Sequence, residues 1–179
     1  KKIAFSNVGV TLNDGHVWLE SKSGYYYFNE KHSYFYESVK LRDSVSKLKA
    51  DRLNYFDDDD KAVAAGNVMV SDTSSTIFAD SLIHFRKADE TFAFNNIRIY
   101  NSSNRLSIFG NKLEDSGKNN YSKITDNPFL VRIDTTETGE LDTLMISAKI
   151  LESFDDSTKK LIATDSVKIV RKNFASVNS

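Results

Sequence analysis

A 29-residue interval recurs along this chain, and no other feature limits its folding choices as strongly. It separates Lys22, Asp51 and Asp80, then Val39, Val68 and Ile97, then Leu41, Val70 and Ile99. Three units share it: "LESKSGYYYFNEKHSYFYESVKL", "LKADRLNYFDDDDKAVAAGNVMV" and "IFADSLIHFRKADETFAFNNIRI". Self-similarity of this length marks stacked supersecondary units, none of which can bury its apolar face alone. Two looser copies follow, "IFGNKLEDSGKNNYSKITDNPFLV" and "ISAKILESFDDSTKKLIATDSVKI", and the opening "IAFSNVGV" matches the second half of a unit. The chain therefore reads as one β-repeat domain over residues 1–179, with a half unit at 1–12 and units at about 17–43, 46–72, 75–101, 104–134 and 142–171.

Inside each unit the apolar residues alternate with period two and slip once, as in Leu48, Ala50, then Leu53, Tyr55. Alternation means a strand with one buried face, and a slip turns later side chains outward unless the backbone bends there. Asp51, Asp80, Gly66-Asn67 and Asn96 stand at the slips and are residue types that tolerate such bends. Each unit is thus two strands of about ten residues, kinked in the middle and joined by polar turns at "NEKH", "DDDD", "RKADE", "DSGKNN" and "DDSTKK". The expected fold is all-β: an elongated jelly roll or β-taco of about ten kinked antiparallel strands, roughly 50 Å long at about 4.8 Å per strand. Its inward phase is read as Tyr34, Tyr36, Val39, Leu41, Leu48, Leu53, Val63, Val68, Val70, Leu82, Phe92, Phe94, Ile97, Ile99, Phe129 and Val131.

Composition narrows the chemistry. Lys plus Arg number 24 against 25 for Asp plus Glu, so no basic field invites nucleic acid. Cysteine is absent, which removes disulfides, thiolate catalysis and thiolate metal sites. No apolar run reaches the 18 or so residues of a membrane-spanning helix, and no phosphate-binding glycine loop supplies an energy source. Asp57–Asp60 reads as a solvated hairpin tip, since the run lacks the spaced ligands of a calcium loop. His84 reads as a packed or edge histidine, without a nucleophile at motif spacing. Glu114-Asp115 and Asp155-Asp156 lie in expected turns. No cofactor, metal or catalytic residue is expected.

The "LKAD…Y…AxGNVxV" unit at Leu48 to Val70, its relative from Phe78 to Tyr100 and the Tyr-rich unit before them resemble the OstA-like family. That family includes the periplasmic lipopolysaccharide-transport proteins LptA and LptC and the N-terminal domain of LptD, and the Tyr-rich unit looks most like Bacteroidetes-type members. The fourth and fifth units depart from the pattern: Gly110-Asn111 and Ala148-Lys149 stand where Ala-Asp stands earlier, and Pro128 interrupts the Asn-Val step. The resemblance implies a non-catalytic periplasmic protein that carries lipopolysaccharide or a related envelope lipid in an apolar trough toward the outer membrane. No signal peptide or membrane anchor is expected within residues 1–179.

Homologous β-repeat domains of a transport bridge are the expected partners through the edge strands near Ile3 to Leu12 and Leu161 to Val170, with head-to-tail self-association as a variant. Arg98, Arg105, Arg132 and Arg171 are candidates for meeting lipid phosphates or core sugars at the rim, with scattered surface arginine the commoner reading. Two other classes fit the pattern alone: a structural or adhesive β-repeat module with a self-filled core, and, less favoured, a carbohydrate-active β-repeat enzyme. Trp18 and Tyr25-Tyr26-Tyr27 offer stacking surfaces but no basic groove.

Overall fold

Six long antiparallel strands carry the frame, and each bends at its midpoint. The computed structural model describes residues 2–13, 15–136, 139–155, 157 and 159–174. In chain order the strands are β1 (Ile3–Ser6), β2 (Val10–Asn13), β3 (Trp18–Ser21), β4 (Ser23–Tyr27), β5 (His32–Arg42), β6 (Lys47–Phe56), β7 (Lys61–Ser71) and β8 (Ser75–Phe85). They continue as β9 (Glu90–Asn101), β10 (Leu106–Ser116), β11 (Tyr121–Thr125), β12 (Phe129–Thr135), β13 (Leu141–Ser147), β14 (Ile150–Phe154), β15 (Lys160–Thr164) and β16 (Lys168–Phe174). All 16 belong to one sheet. The last expected turn includes Asp156 and Thr158, which lie outside the described residues.

At both ends the long strands give way to short ones that divide between two walls. β5 pairs through residues 32–36 with β4 and through its second half with β3. β10 pairs through its first half with β12 and through its second with β11. One wall therefore runs β1, β4, the halves of β5 to β10, β11, β14, β15; the other runs β2, β3, the complementary halves, β12, β13, β16. A single sheet buries one face only by folding on itself, and this one does. Phe35, Leu53, Ala64, Leu82, Ala93 and Leu113 on the first wall are 0–6% exposed, as are Val39, Ala50, Val68, Ala79 and Ile97 on the second.

Packing at the fold line is a knobs-and-holes arrangement. Each long strand from β6 on places a small residue before its bend and a large one after it: Ala50 and Leu53, Ala64 and Val68, Ala79 and Leu82, Ala93 and Ile97, Gly110 and Leu113. Because neighbours run antiparallel, each wall alternates large and small, and bulk on one side meets space on the other. A Cβ at Gly110 would stand 2.5 Å from Cγ2 of Ile124, so the hole there is closed to anything larger than glycine.

The bends come in two kinds. β6, β8 and β10 use one residue, Asp51, Asp80 or Asn111; β5, β7 and β9 use two, both left-handed: Glu37-Ser38, Gly66-Asn67 and Asn95-Asn96. Asp126-Asn127 and Asp165-Ser166 repeat the two-residue form between the short strands. Side chains tie the fold line together. Asn67 Nδ2 donates to Asp51 Oδ2 at 2.9 Å, Asn96 Nδ2 to Asp80 Oδ2 at 2.8 Å, and Asn111 Nδ2 to the Asp126 carbonyl at 3.2 Å.

A one-residue bend reverses the alternation and a two-residue bend preserves it, which corrects part of the inward phase. Phe35, Ala64 and Ala93 point inward, so Tyr34, Tyr36, Val63, Phe92 and Phe94 stand on the outer face. After Asp126-Asn127 the buried residue is Leu130, at 1% exposure, and Phe129 and Val131 turn outward.

Candidate functional site

The second wall's inner face carries an unbroken aliphatic ladder. Cross-strand register joins Leu12 to Leu19, Leu41, Leu48, Val70, Ile77, Ile99 and Ile108, and then to Leu130, Ile146 and Ile169. Every strand of that wall contributes one rung. Leu41, Leu48, Val70, Ile77, Ile99 and Ile108 are half-buried against the core, so they form a greasy strip along the mouth of the fold. Such a strip offers apolar area and not directed polar contacts.

The corresponding row of the first wall is mostly polar: Tyr26, Ser33, Tyr55, Ala62, His84, Thr91, Asp115 and Ser122 are in register across eight strands. Its groups satisfy one another locally. Tyr55 Oη donates to Asp60 Oδ1 at 2.9 Å, His84 Nδ1 lies 3.0 Å from Thr91 Oγ1, and Ser122 Oγ donates to Asp115. Burial pushes the Asp115 carboxyl up, against the downward pull of the Ser122 hydroxyl. No nucleophile in this row has a base and an orienting group in series, so it has the composition of a wet rim facing a greasy one.

The sequence-predicted lining separates into three groups. Val39, Leu53, Val68, Leu82 and Ile97 point inward but are closed into the core at 1–4% exposure. Leu41, Leu48, Val70 and Ile99 line the mouth. Tyr34, Tyr36, Val63, Phe92, Phe94, Phe129 and Val131 are outside, where Tyr34 and Tyr36 stack at 5.5 Å, Tyr36 meets Tyr25 at 5.9 Å and Phe129 meets Phe109 at 6.3 Å. Inward positions that sequence reasoning missed include Phe35, Ala64, Ala93, Ile108 and Leu130. The signal was present in the consecutive left-handed-tolerant pairs Gly66-Asn67 and Asn95-Asn96, which mark a bend two residues long.

The expected rim cations disperse. Arg98 lies over the Phe78 ring at 5.1 Å on the outer face, Arg171 is tied to the buried Asp142, and Arg132 donates to Asp134 at 2.7–2.9 Å. Arg105 donates to Thr135 Oγ1 at 2.7 Å beside a cavity of about 760 Å³ between the walls at their C-terminal end. The four-aspartate tip is fully partnered: Asp57 with Tyr26, Asp58 with Lys31, Asp59 with Lys61, and Asp60 with Tyr55 and Lys87. Among the described residues no group of three or more His, Asp or Glu is placed to hold a metal, and no helix is long and apolar enough to cross a membrane.

The family profile described as OstA-like protein matches residues 47–150. Among solved structures the chain is similar to LptH from Pseudomonas aeruginosa, described as the LptA-homologous periplasmic component of the conserved lipopolysaccharide transport device. Sequence identity is 10%, the TM-score is 0.58, and the match covers 70% of this chain and 93% of that one. That likeness is one of fold. No curated protein sequence matches.

Proposed function

The chain belongs to the OstA-like family, and on that footing we propose that it is a non-catalytic periplasmic carrier that holds the acyl chains of lipopolysaccharide during passage to the outer membrane. The aliphatic ladder from Leu12 to Ile169 is the observation that carries this reading. Burying one methylene contributes about 0.8 kcal/mol, so a twelve-carbon chain laid along the strip gains near 10 kcal/mol before ordering and desolvation costs. Neighbouring rungs are chemically alike, so moving one rung along changes the energy little. Direction then comes from partners, since the chain carries no phosphate-binding loop to harness hydrolysis.

The filled fold line sets the guest's position. Core residues at 0–6% exposure leave no bore through the central units, so chains lie at the mouth, on Leu41, Leu48, Val70, Ile77, Ile99 and Ile108. The same filled core favours a second reading, a structural module that binds no lipid. A photo-reactive side chain at Val70 or Ile99 separates them: lipopolysaccharide adducts form at those positions and not at Tyr34 on the outer face. Equal labelling at all three, or none, overturns the carrier reading.

The edges fit a bridge of like domains. β1 and β2 close one end and β15 and β16 the other, each with one side unpaired among the described residues. Docking a homologous domain there continues both walls and the ladder. Residues 1–179 then act as one β-repeat domain of that bridge.

A further inference from the structure

Four cations stand in a block on the outer face of the second wall. Strand register sets Lys40 opposite Lys49 and Arg42 opposite Lys47 across β5 and β6, and alternation turns all four away from the inward Val39, Leu41, Leu48 and Ala50. All four are exposed. Residues directly opposite in an antiparallel pair have Cβ atoms about 5 Å apart, and like charges at such positions are destabilising. The two like-charge pairs follow one another at about 7 Å, the rise of two strand residues.

The surroundings leave the block uncompensated. Among the described residues none of the four forms an ion pair, although acids and bases are almost equal in number over the chain. On β3, Trp18 stands beside Arg42 and Glu20 beside Lys40. Arg42 lies over the Trp18 ring at 4.9 Å, and Glu20 Oε1 accepts from Trp18 Nε1 at 3.0 Å, so Glu20 offsets at most one of the four charges. On β7 the neighbours are the uncharged Met69 and Ser71. The carboxylates that flank the block along the chain are engaged elsewhere, Asp43 by the N–H groups of Val45 and Ser46 and Asp51 by Asn67 Nδ2.

We propose that this face docks an acidic segment of a partner protein, extended along β5 and β6 with carboxylates on alternate residues. Alternate side chains of an extended chain recur at about 7 Å, the interval between the two cation pairs. Each carboxylate then sets its two oxygens between the cations of a facing pair, and the repulsion carried by the unbound protein is relieved in the complex. Arg42 adds a planar fork that suits a bidentate contact. A bilayer attracts cations whatever their spacing, so the paired register favours a polypeptide over a membrane surface. Because the block lies outside the wall whose inner face carries the aliphatic ladder, a docked segment leaves the mouth and both end strands accessible. The partner is therefore held alongside the domain, independently of what the mouth carries.

The test uses the full chain and three probes: a peptide with four glutamates on alternate residues separated by serine, a peptide with four glutamates on every third residue, and phosphatidylglycerol vesicles. At low salt the wild type binds the alternating peptide at least about tenfold more tightly than the other, the scale of one charge-assisted hydrogen bond, and binding weakens as salt rises. K47E/K49E converts both like-charge pairs into opposite-charge pairs. Its urea midpoint rises, and its affinity for the alternating peptide falls at least about tenfold, so the loss does not come from unfolding. K159E/K160E makes the same change of net charge at the C-terminal end and keeps wild-type binding. A lower urea midpoint for K47E/K49E overturns the facing-pair geometry, and retained binding overturns the assignment of the face. Equal binding of the two peptides reduces the block to a diffuse positive field, and vesicles that displace the peptide make it a membrane-contact surface. Either result overturns the proposal.

Discussion

Gly66 stands at a φ of +77°, and a Cβ there would lie 2.4 Å from Oδ2 of Asp51, its partner across the fold line. Both the backbone angle and the space demand glycine. Gly66→Ala is therefore expected to lower stability by about 1–3 kcal/mol in urea unfolding. Glu37 occupies the equivalent bend of β5 at a φ of +62°, a conformation that a long side chain tolerates poorly and Asn tolerates better. Its ion pair with Lys22 spans 3.8 Å between exposed side chains and contributes little. Glu37→Asn is expected to raise stability by a few tenths of a kcal/mol. Opposite signs at equivalent bends check the left-handed assignment; two losses of equal size would refute it. These residues also explain what the sequence made legible. Gly, Asn and Asp showed where strands bend, and the pairs Gly66-Asn67 and Asn95-Asn96 marked two of the bends as two residues long, but Glu37-Ser38 bends the same way without residue types that announce it. In β5 and β9 the aromatic residues flank the true inward position, so bulk drew the phase toward Tyr34, Tyr36, Phe92 and Phe94. The walls converge at the fold line, and convergence selects Ala64 and Ala93 inside.

At the scale of elements, the turns along the second wall's rim share one device. Asp43 Oδ1 accepts from the backbone N–H groups of Val45 and Ser46 at 2.7–2.8 Å, and Asp72 Oδ1 does the same for Ser74 and Ser75. Asn101, a further 29 residues on, accepts from the Asn104 N–H at 2.9 Å. These backbone donors hold the Asp43 and Asp72 carboxyls below the ordinary carboxylate range. A carboxyl with a folded pKa below its unfolded value stabilises the fold above the unfolded pKa, and that contribution disappears as pH falls through the folded pKa. The window therefore lies at and below the usual value of 3.8. D43A/D72A is expected to lose about 0.5–1 kcal/mol per turn at pH 7, the low end of cap substitutions because both groups face water. The loss shrinks as pH falls below 3.8 and the wild type gives up the same charges. Urea midpoints for the two proteins at pH 7 and through the acid range measure it, and a gap that stays constant with pH would show that the carboxylates act only as neutral acceptors.

For the whole molecule, the two ends are not equivalent. Among the described residues, β1 and β2 expose Ile3, Phe5 and Leu12 at 44–68% and, with the residue before them, contribute a single cation, Lys2. β15 and β16 expose Leu161, Ile162 and Ile169 at 42–62% but interleave them with Lys160, Lys168, Arg171 and Lys172. Unpaired, apolar edges pair readily with another sheet, and cations are a common guard against it. Two C-terminal ends brought together would set lysine against lysine, whereas a C-terminal end meeting an N-terminal end faces an almost uncharged edge. The asymmetry favours head-to-tail addition, which also keeps the ladder continuous through Ile169 and Leu12. Phe5→Lys with Leu12→Lys places cations on the unguarded edge without touching the core. The wild type is expected to show a mass that rises with concentration in light scattering, and the double variant to remain a single chain with unchanged thermal unfolding. A wild type that stays monomeric would confine edge pairing to other domains. A variant that still associates would place the contact elsewhere, since among the described residues both walls end in an unpaired strand at these two ends.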